Sequence, residues 1–353
     1  MKTIRLGLIG CGLMMEAHAS NINKVEGIEI TTVCDIIEER AVSVAKALGN
    51  NPKITTDFHT MDDDVDAILV ALPHDLHYEC GIYFARKKKH ILMEKPLCNS
   101  EEECLHLIEA CEEEGVVLMC AYPVPFWNDI VRLKELVDSG DFGKIMQMSI
   151  WTEQFTKHGD EWFWGSTARL GGGQFFSHGC HYVDLLLRFL GNPVEGSHFG
   201  TRVGTPWLLR EGTSMAIFKF ENGALGFHGA TWGAKGTRMG YDFQIMTEAG
   251  LLDYERKSRE IRFYCKEKLH VPGEVGESSE NGRQYTVLYR NDTPPSKETY
   301  LEISHFVDCI NNGKRPITDG RSALQSLRII WKMYDAERNG KTADLRGLGL
   351  DNA

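Results

Sequence analysis

Short apolar runs alternate with longer amphipathic segments along the first third of the chain. The apolar runs are rich in β-branched residues and predict strands at Ile4 to Ile9, Ile28 to Cys34, Ala67 to Leu72, His90 to Met93 and Val116 to Ala121. The segments between them predict helices, and Ser100 and Glu103 have the spacing of a capping box at one helix start. Near-continuous apolar strands separated by helices are typical of a parallel sheet covered on both faces. Residues 1–122 are therefore predicted to form a doubly wound α/β domain.

The pattern changes after about Tyr122, where Pro123 interrupts it and strand-like runs begin to predominate. Asn222-Gly223 lies between two such runs and is a hairpin signal. A second domain with a largely antiparallel sheet is therefore predicted for residues 123–353.

Helical patterns in this second part run from about Asn128 to Ser139, from Ser304 to Asn311 and from Arg321 to Glu337. The polar stretch from Pro272 to Lys297 predicts an exposed loop that is interrupted by a short strand around Tyr285 to Tyr289. The last helices are free to pack back on the first domain.

The net charge limits the partners that the protein can bind, and the cysteines indicate the compartment in which it folds. The formal net charge of -11 over 353 residues disfavours nucleic acid and anionic membrane surfaces as partners. Ten scattered cysteines in a chain of this length indicate free, buried thiols in a reducing compartment. Ala17-His18-Ala19 imitates a leader cleavage site, but Gly7, Gly10 and Gly12 interrupt the apolar run before it. We therefore expect a cytoplasmic protein.

Glycines follow the first predicted strand directly and open a helix. Gly10 permits a tight turn, and Gly12 lets a pyrophosphate approach backbone N–H groups at the positive end of the helix, where Leu13 and Met14 follow. Met15 occupies the place of a third small residue, so the motif alone is weak.

Asp35 strengthens the glycine motif, because it ends the second predicted strand about 20 residues after the glycines, where a carboxylate can bind the adenosine ribose. Ile36 and Ile37 follow it instead of a basic residue, which favours NAD over NADP. The alternative is a surface aspartate at a strand end.

Two further strand ends carry candidate cofactor contacts, since ligands of open parallel sheets bind outside the carboxyl ends of the strands. After one strand come Leu72, Pro73, His74 and His77, where the histidines either line the cofactor cleft or cap a helix. After the next comes Glu94-Lys95-Pro96, whose ammonium is placed to touch both a substrate hydroxyl and the nicotinamide.

A third constellation is the glycine-rich stretch from Gly171 to Asp184, which leads into an apolar helix. Ser177, His181 and Asp184 are spaced to fall along one helical face. Histidine is the natural proton acceptor for an alcohol oxidised near neutral pH, although a core or capping histidine is the usual alternative. Trp164 could stack on a sugar face. We expect no metal, because the histidines and cysteine here lack zinc-ligand spacing.

Taken together and in this order, the three motifs resemble the Gfo/Idh/MocA oxidoreductase family, which includes inositol dehydrogenases and glucose-fructose oxidoreductases. The resemblance extends over nearly the whole chain. It implies a Rossmann domain, an α+β domain whose open sheet often mediates homo-oligomerisation as a dimer or tetramer, Lys95 as the active-site lysine and His181 as the acid/base histidine. It further implies that Asp184 contacts substrate or supports the histidine, and that Tyr122 lies near the cleft at the domain junction.

Ser177 is the clearest departure from the family pattern, because many members carry an aspartate there. The leading hypothesis is NAD(P)-dependent hydride transfer between a secondary hydroxyl of a sugar, cyclitol or related polyol and nicotinamide. The alternatives are an NAD-dependent glycosidase of the same fold and a non-catalytic sensor that keeps the cofactor site.

Overall fold

The computed structural model describes residues 2–157, 167–266, 273–277 and 284–350. Its first part consists of strands that alternate with helices. The strands are β1 (Ile4–Ile9), β2 (Ile28–Cys34), β3 (Lys53–Thr55), β4 (Ala67–Val70), β5 (His90–Glu94) and β6 (Leu118–Ala121). The helices are α1 (Leu13–Ile22), α2 (Glu38–Leu48), α3 (His77–Arg86) and α4 (Glu101–Glu114), with short 3-10 helices at Phe58–Met61 and His74–Leu76. The predicted capping box at Ser100 and Glu103 is confirmed at the start of α4.

The six strands form one parallel sheet in the order β3-β2-β1-β4-β5-β6. Every residue of β4 and β6 is buried, as strands covered by helices on both faces require. The strands that follow β1 in sequence are first added on one side of it, as β2 and β3, and then on its other side, from β4 onward. The switch point therefore lies between β1 and β4, and doubly wound sheets bind ligands at such a point. The predicted doubly wound domain is therefore confirmed.

The rest of the chain contains both strands and helices. The helices are α5 (Asn128–Asp138), α6 (Thr167–Leu170), α7 (Gln174–Ser177), α8 (Cys180–Leu190), α9 (Thr299–Asn312) and α10 (Gly320–Arg338), with a 3-10 helix at Val124–Phe126. The strands are β7 (Ile145–Glu153), β8 (Pro193–Thr201), β9 (Thr213–Phe220), β10 (Leu225–Thr231), β11 (Tyr241–Thr247), β12 (Leu251–Glu255), β13 (Glu260–Tyr264), β14 (Glu274–Glu277), β15 (Gln284–Arg290) and β16 (Ala343–Asp344).

These strands form a second sheet in the order β14-β15-β13-β12-β11-β7-β10-β9-β8-β16, in which only β7 and β10 pair in parallel. The predicted hairpin at Asn222-Gly223 joins β9 to β10, and Gly223 has a φ of 88° there. Buried and exposed residues alternate strictly along β9. One face of this largely antiparallel sheet is therefore core and the other is open, as the sequence predicted.

One part of the second sheet was not predicted. The polar stretch that begins at Pro272 was expected to be a loop with one short strand, but β14 and β15 both belong to the sheet and pair with each other. The loop prediction was therefore wrong for Glu274–Glu277, whose polar sequence forms a strand only because an edge is available.

The chain divides into two compact units. Unit 1 comprises residues 1–123, 168–171 and 297–324, so it contains the parallel sheet and α9. Unit 2 comprises residues 124–167, 172–296 and 325–353 and contains the second sheet. All ten cysteines are free and nine of them are buried, which confirms the thiol prediction. Within the described ranges, no helix is both long and apolar enough to span a bilayer.

A buried ion cluster holds unit 2 together. The carboxylate of Asp129 on α5 accepts hydrogen bonds from Nε and Nη2 of Arg259 at 2.8 and 2.9 Å, from Tyr254 Oη at 2.8 Å and from Asn291 Nδ2 at 2.8 Å. Asp129 and Arg259 are both buried. The cluster joins the helix to the strands and turn that carry its partners, and each charge depends on the other for compensation.

Candidate active site

The turn after β1 contains Gly10 and Gly12, and the missing side chains let other atoms come close to its backbone. Gly10 has a φ of 85°, and a Cβ atom there would lie 2.5 Å from the carbonyl oxygen of Ala71. A Cβ on Gly12 would meet no described atom within 4 Å, and no side chain among the described residues caps the start of α1. The first backbone N–H groups of α1 are therefore available to a ligand, and an anion is favoured at this helix end.

Asp35 is buried beside the glycine turn rather than on the surface. Its carboxylate accepts hydrogen bonds from the backbone N–H groups of Cys11, at 2.7 Å, and Ile37, at 2.8 Å. The next residue, Ile36, is 87% exposed and is apolar, whereas a basic residue at this position could bind a phosphate. The negative charge is thus held at the carboxyl end of β2, where it can accept further hydrogen bonds from a diol but would repel a phosphate.

Replacement of Asp35 by asparagine is expected to relax the choice between NAD and NADP. The wild-type protein should bind NAD more tightly, and Asp35→Asn should lower the ratio of the NADP and NAD dissociation constants by about tenfold or more, because one like-charge repulsion is removed. Titration of both cofactors by fluorescence measures the ratio. Asp63→Asn, at an exposed site in unit 1, is the control and should leave it unchanged. Tighter binding of NADP by the wild type would refute this role of Asp35.

The end of β4 carries Leu72 and Pro73, both partly exposed, and two histidines that differ in their surroundings. His74 Nδ1 lies 3.0 Å from the carbonyl oxygen of Leu170, and burial lowers its pKa, as does the charge of Lys95. His77 is fully buried, with Nδ1 2.8 Å from the Pro96 carbonyl oxygen and Nε2 2.9 Å from that of Leu72.

His77 thus ties the ends of β4 and β5 together through two backbone carbonyls. Its side chain has no exposed surface, and both ring nitrogens are engaged by these carbonyls. Leu72, Pro73, His74 and His77 stay among the candidate cofactor contacts.

Lys95 follows β5 at the same edge of the sheet and is partly exposed, whereas Glu94 beside it is buried. Glu94 Oε1 lies 2.8 Å from Nε2 of the fully buried His18, and Glu94 Oε2 accepts the backbone N–H of Lys95 at 3.1 Å. Burial acts to raise the pKa of Glu94, but the hydrogen bond from His18 and the nearby charges lower it below its usual range. An ionised Glu94 therefore holds the backbone of Lys95 in place.

Sequence reasoning missed a second ammonium in this part of unit 1. Lys297 Nζ lies 3.2 Å from Sδ of Met14, close to the start of α1. Partial desolvation lowers the pKa of Lys297; the charge of Glu94 acts to raise it and that of Lys95 to lower it. Lys297 lies in a polar stretch whose sequence gives no sign of its position, so only the fold could reveal it.

The histidine motif lies in unit 2 and is not one continuous helix. The helix α7 ends at Ser177, His178 leaves the helical region with φ -124° and ψ -37°, and α8 begins at Cys180. The expectation that Ser177 shares a helical face with His181 and Asp184 is therefore wrong. His181 lies in the first turn of α8 and Ser177 at the end of the preceding short helix.

Asp184 on α8 is fully buried and forms a two-point ion pair with Arg188, with distances of 2.6 Å from Nε to Oδ2 and 3.0 Å from Nη2 to Oδ1. Both carboxylate oxygens of Asp184 are therefore engaged by Arg188. His181 is 8% exposed and Ser177 is 4% exposed. In unit 1, Tyr122 follows β6 and is fully buried, while Trp164 lies outside the described residues.

Two residues that the sequence did not indicate hold the glycine-rich segment in place. Tyr334 Oη on α10 accepts the backbone N–H groups of Gly173, at 3.3 Å, and Phe176, at 3.2 Å, and donates to Glu211. Glu211 also accepts the N–H of Phe175 at 3.3 Å. These contacts fix the approach to α8, and hence to His181, from two distant parts of the chain.

This fold and the strand-end constellation define a dinucleotide-binding oxidoreductase domain joined to a second α+β domain. Residues 4–122 match the family model described as "Oxidoreductase family, NAD-binding Rossmann fold", and residues 130–253 match the "GFO/IDH/MocA C-terminal domain". The chain belongs to the Gfo/Idh/MocA oxidoreductase family, which confirms the resemblance, and its first domain is an NAD-binding Rossmann domain.

Curated relatives include inositol dehydrogenases. The scyllo-inositol 2-dehydrogenase (NAD(+)) of Bacillus subtilis is 24% identical, with 97% of this chain and 96% of the relative covered. The myo-inositol 2-dehydrogenase of Thermotoga maritima is also 24% identical, over 98% of this chain and 100% of the relative.

Two solved structures show the same fold. A levoglucosan dehydrogenase in complex with NADH and levoglucosan has a TM-score of 0.85 at 19% identity, covering 97% of this chain and 99% of that one. The WlbA dehydrogenase of Bordetella pertussis, in complex with NADH and UDP-GlcNAcA, has a TM-score of 0.79 at 22% identity, covering 98% of each chain.

Proposed function

We propose that this protein is an NAD-dependent dehydrogenase that acts on a secondary hydroxyl of a sugar, cyclitol or related polyol. The observation that carries the proposal is the alignment of the glycine turn, Asp35 and Lys95 at the carboxyl edge of one parallel sheet. The inositol dehydrogenases among its relatives support the substrate class.

The residues present fit an NAD cofactor. Gly10 and Gly12 leave room for a pyrophosphate at the start of α1, and Asp35 is held where it can bind ribose hydroxyls. The proposed set of residues around the cofactor is completed by Leu13, Met14, Leu72, Pro73, His74, His77, Glu94 and Lys95. When bound, the nicotinamide supplies the acceptor for a hydride.

The chain's own residues supply the proton chemistry. Lys95, positioned through its backbone by Glu94, would hold the substrate oxygen and stabilise the negative charge that develops on it. His181 would accept the hydroxyl proton as the general base. The same residues allow the reverse reduction, in which His181 returns the proton.

The role of Ser177 follows from its neutrality. A serine hydroxyl cannot balance the charge of an imidazolium, so we assign this task to Asp184, whose charge is shared with Arg188 on the same helix. Ser177 would act only as a hydrogen-bonding residue. Tyr122 remains a proposed substrate contact from the family resemblance, and Trp164 remains one because its ring can stack on a sugar face.

Oxidation of free cyclitols, aldoses and sugar acids with NAD tests the proposal. A dehydrogenase forms NADH in proportion to substrate consumed. A glycosidase that uses NAD transiently would consume glycosides without net NADH, and a sensor would bind the cofactor without consuming anything. Screening such a panel by absorbance at the nicotinamide band also identifies the substrate.

The open face of the second sheet supports a homo-oligomer, as the family resemblance implies. Phe199, Met215, Ile217 and Leu225 lie on the same face of the neighbouring strands β8, β9 and β10 and are between 42% and 68% exposed. An exposed apolar strip of this kind is typical of an interaction surface. We propose that a second copy of the chain covers it, and a monomer in analytical ultracentrifugation would contradict this.

A further inference from the structure

The helix α9 in unit 1 buries a carboxyl group among apolar side chains. Glu302 has no exposed surface, and Ile303 and Phe306 beside it are also buried. Neither oxygen of Glu302 has a hydrogen-bond partner among the described residues. An ionised carboxylate in such a place is costly, so the group must be neutral or must be stabilised by something other than a protein hydrogen bond.

A second buried carboxyl group lies close to it. Helix α9 packs against α1 and β5, and the charge of Glu94 at the end of β5 acts on Glu302. Burial raises the pKa of Glu302 well above its usual range, and the charge of Glu94 raises it further. Glu94 has the opposite tendency, because His18 donates to it. Of the two carboxyl groups, Glu94 therefore carries the charge and Glu302 the proton.

The polar atoms around this pair are complementary. His18 is fully buried, its Nε2 faces Glu94, and its Nδ1 has no hydrogen-bond partner within the described ranges. If Nε2 carries the hydrogen that Glu94 accepts, Nδ1 is an acceptor, and a protonated Glu302 offers a donor. Thr299, one turn earlier on α9, has a buried hydroxyl that likewise lacks a described partner. These groups lie on two helices that pack against each other, α1 and α9.

We infer that Glu302 is a protonated positioning residue: by staying neutral beside the hydrogen-bonded pair of His18 and Glu94, it leaves the charge on Glu94 and thereby helps to fix the backbone of Lys95. The charged groups that face this cluster are His18 from α1, Glu94 and Lys95 from the end of β5, and Lys297 before α9. Because Glu302 is neutral, Glu94 supplies one negative charge near Lys95 where two ionised carboxylates would supply two. The ammonium of Lys95 is therefore less strongly attracted toward the buried carboxyl groups and stays directed at the substrate.

Infrared spectroscopy tests the proton directly and without turnover. The spectrum of the wild-type protein at neutral pH should contain the C=O stretching band of a protonated carboxyl group in an apolar site, and Glu302→Gln should remove that band. Glu109→Gln changes an exposed glutamate on α4 and should remove none. A difference spectrum between wild type and Glu302→Gln that lacks the band would overturn the inference.

Turnover tests the positioning role, and this arm rests on the proposed function. Glutamine is neutral and can still donate, so Glu302→Gln should retain kcat within about threefold, whereas Glu302→Leu should lower kcat by about tenfold or more with little change in NADH affinity. Equal kcat values for the two variants would overturn the role. If wild type turns over no member of the substrate panel, the proposed function fails, while the infrared result still decides the state of Glu302.

Discussion

Replacement of His181 by alanine is expected to lower turnover by about 10²- to 10⁴-fold, because the hydroxyl proton loses its acceptor. Lys95→Ala should have an effect of similar size, because the substrate oxygen loses its cation. Cofactor affinity should stay within about twofold in both variants, since the pyrophosphate is bound by backbone groups near Gly10 and Gly12. Steady-state kinetics and NADH titration on the same preparations measure both quantities.

Matched variants separate these roles from general damage. Ser177→Ala removes only a neutral hydroxyl and should lower turnover modestly, and Lys88→Ala, on an exposed helix end, should leave it unchanged. Near-normal turnover of Lys95→Ala would remove the lysine from the mechanism. A His181→Ala variant as active as Ser177→Ala would do the same for the histidine.

The largest expected loss of stability follows replacement of Asp129 by alanine. The change leaves the guanidinium of Arg259 buried without its counter-charge, and breaking a buried pair in this way costs about 3–5 kcal/mol. Calorimetric unfolding of the full chain should show a lower transition temperature for unit 2.

The same helix provides the control for this prediction. Asp138 pairs with Lys134 at the surface of α5, and its side chain is 56% exposed. Asp138→Ala should cost no more than about 0.5 kcal/mol, because solvent screens a pair of this kind. Equal shifts for the two variants would show that the buried cluster contributes no more than a surface pair.

The sequence predicted the parallel sheet well, because β4 is apolar throughout and β1 is mostly apolar. The glycines after β1 and the aspartate after β2 are also local features of the sequence. Family motifs then indicated Lys95 and His181. The strand β14 was missed because its residues are polar and it forms by pairing at an edge.

The supporting residues could not be predicted for a different reason. Tyr334 and Glu211 reach the histidine motif from distant parts of the chain, and only the tertiary structure brings them there. The spacing of Ser177, His181 and Asp184 predicts one continuous helix, and the break between Ser177 and Cys180 is visible only in the structure. Glu302 was missed because the helical pattern was predicted to begin only at Ser304, whereas α9 begins at Thr299.

Transfer of a labelled hydride tests the central claim most directly. A cyclitol or sugar that is turned over is prepared with deuterium on the carbon of its reacting hydroxyl and incubated with NAD and the wild-type protein. The account predicts that deuterium appears on the nicotinamide ring of NADH in an amount equal to the ketone formed. Consumption of the substrate with deuterium retained in the product and no net NADH would contradict it and would favour the transient use of NAD by a glycosidase.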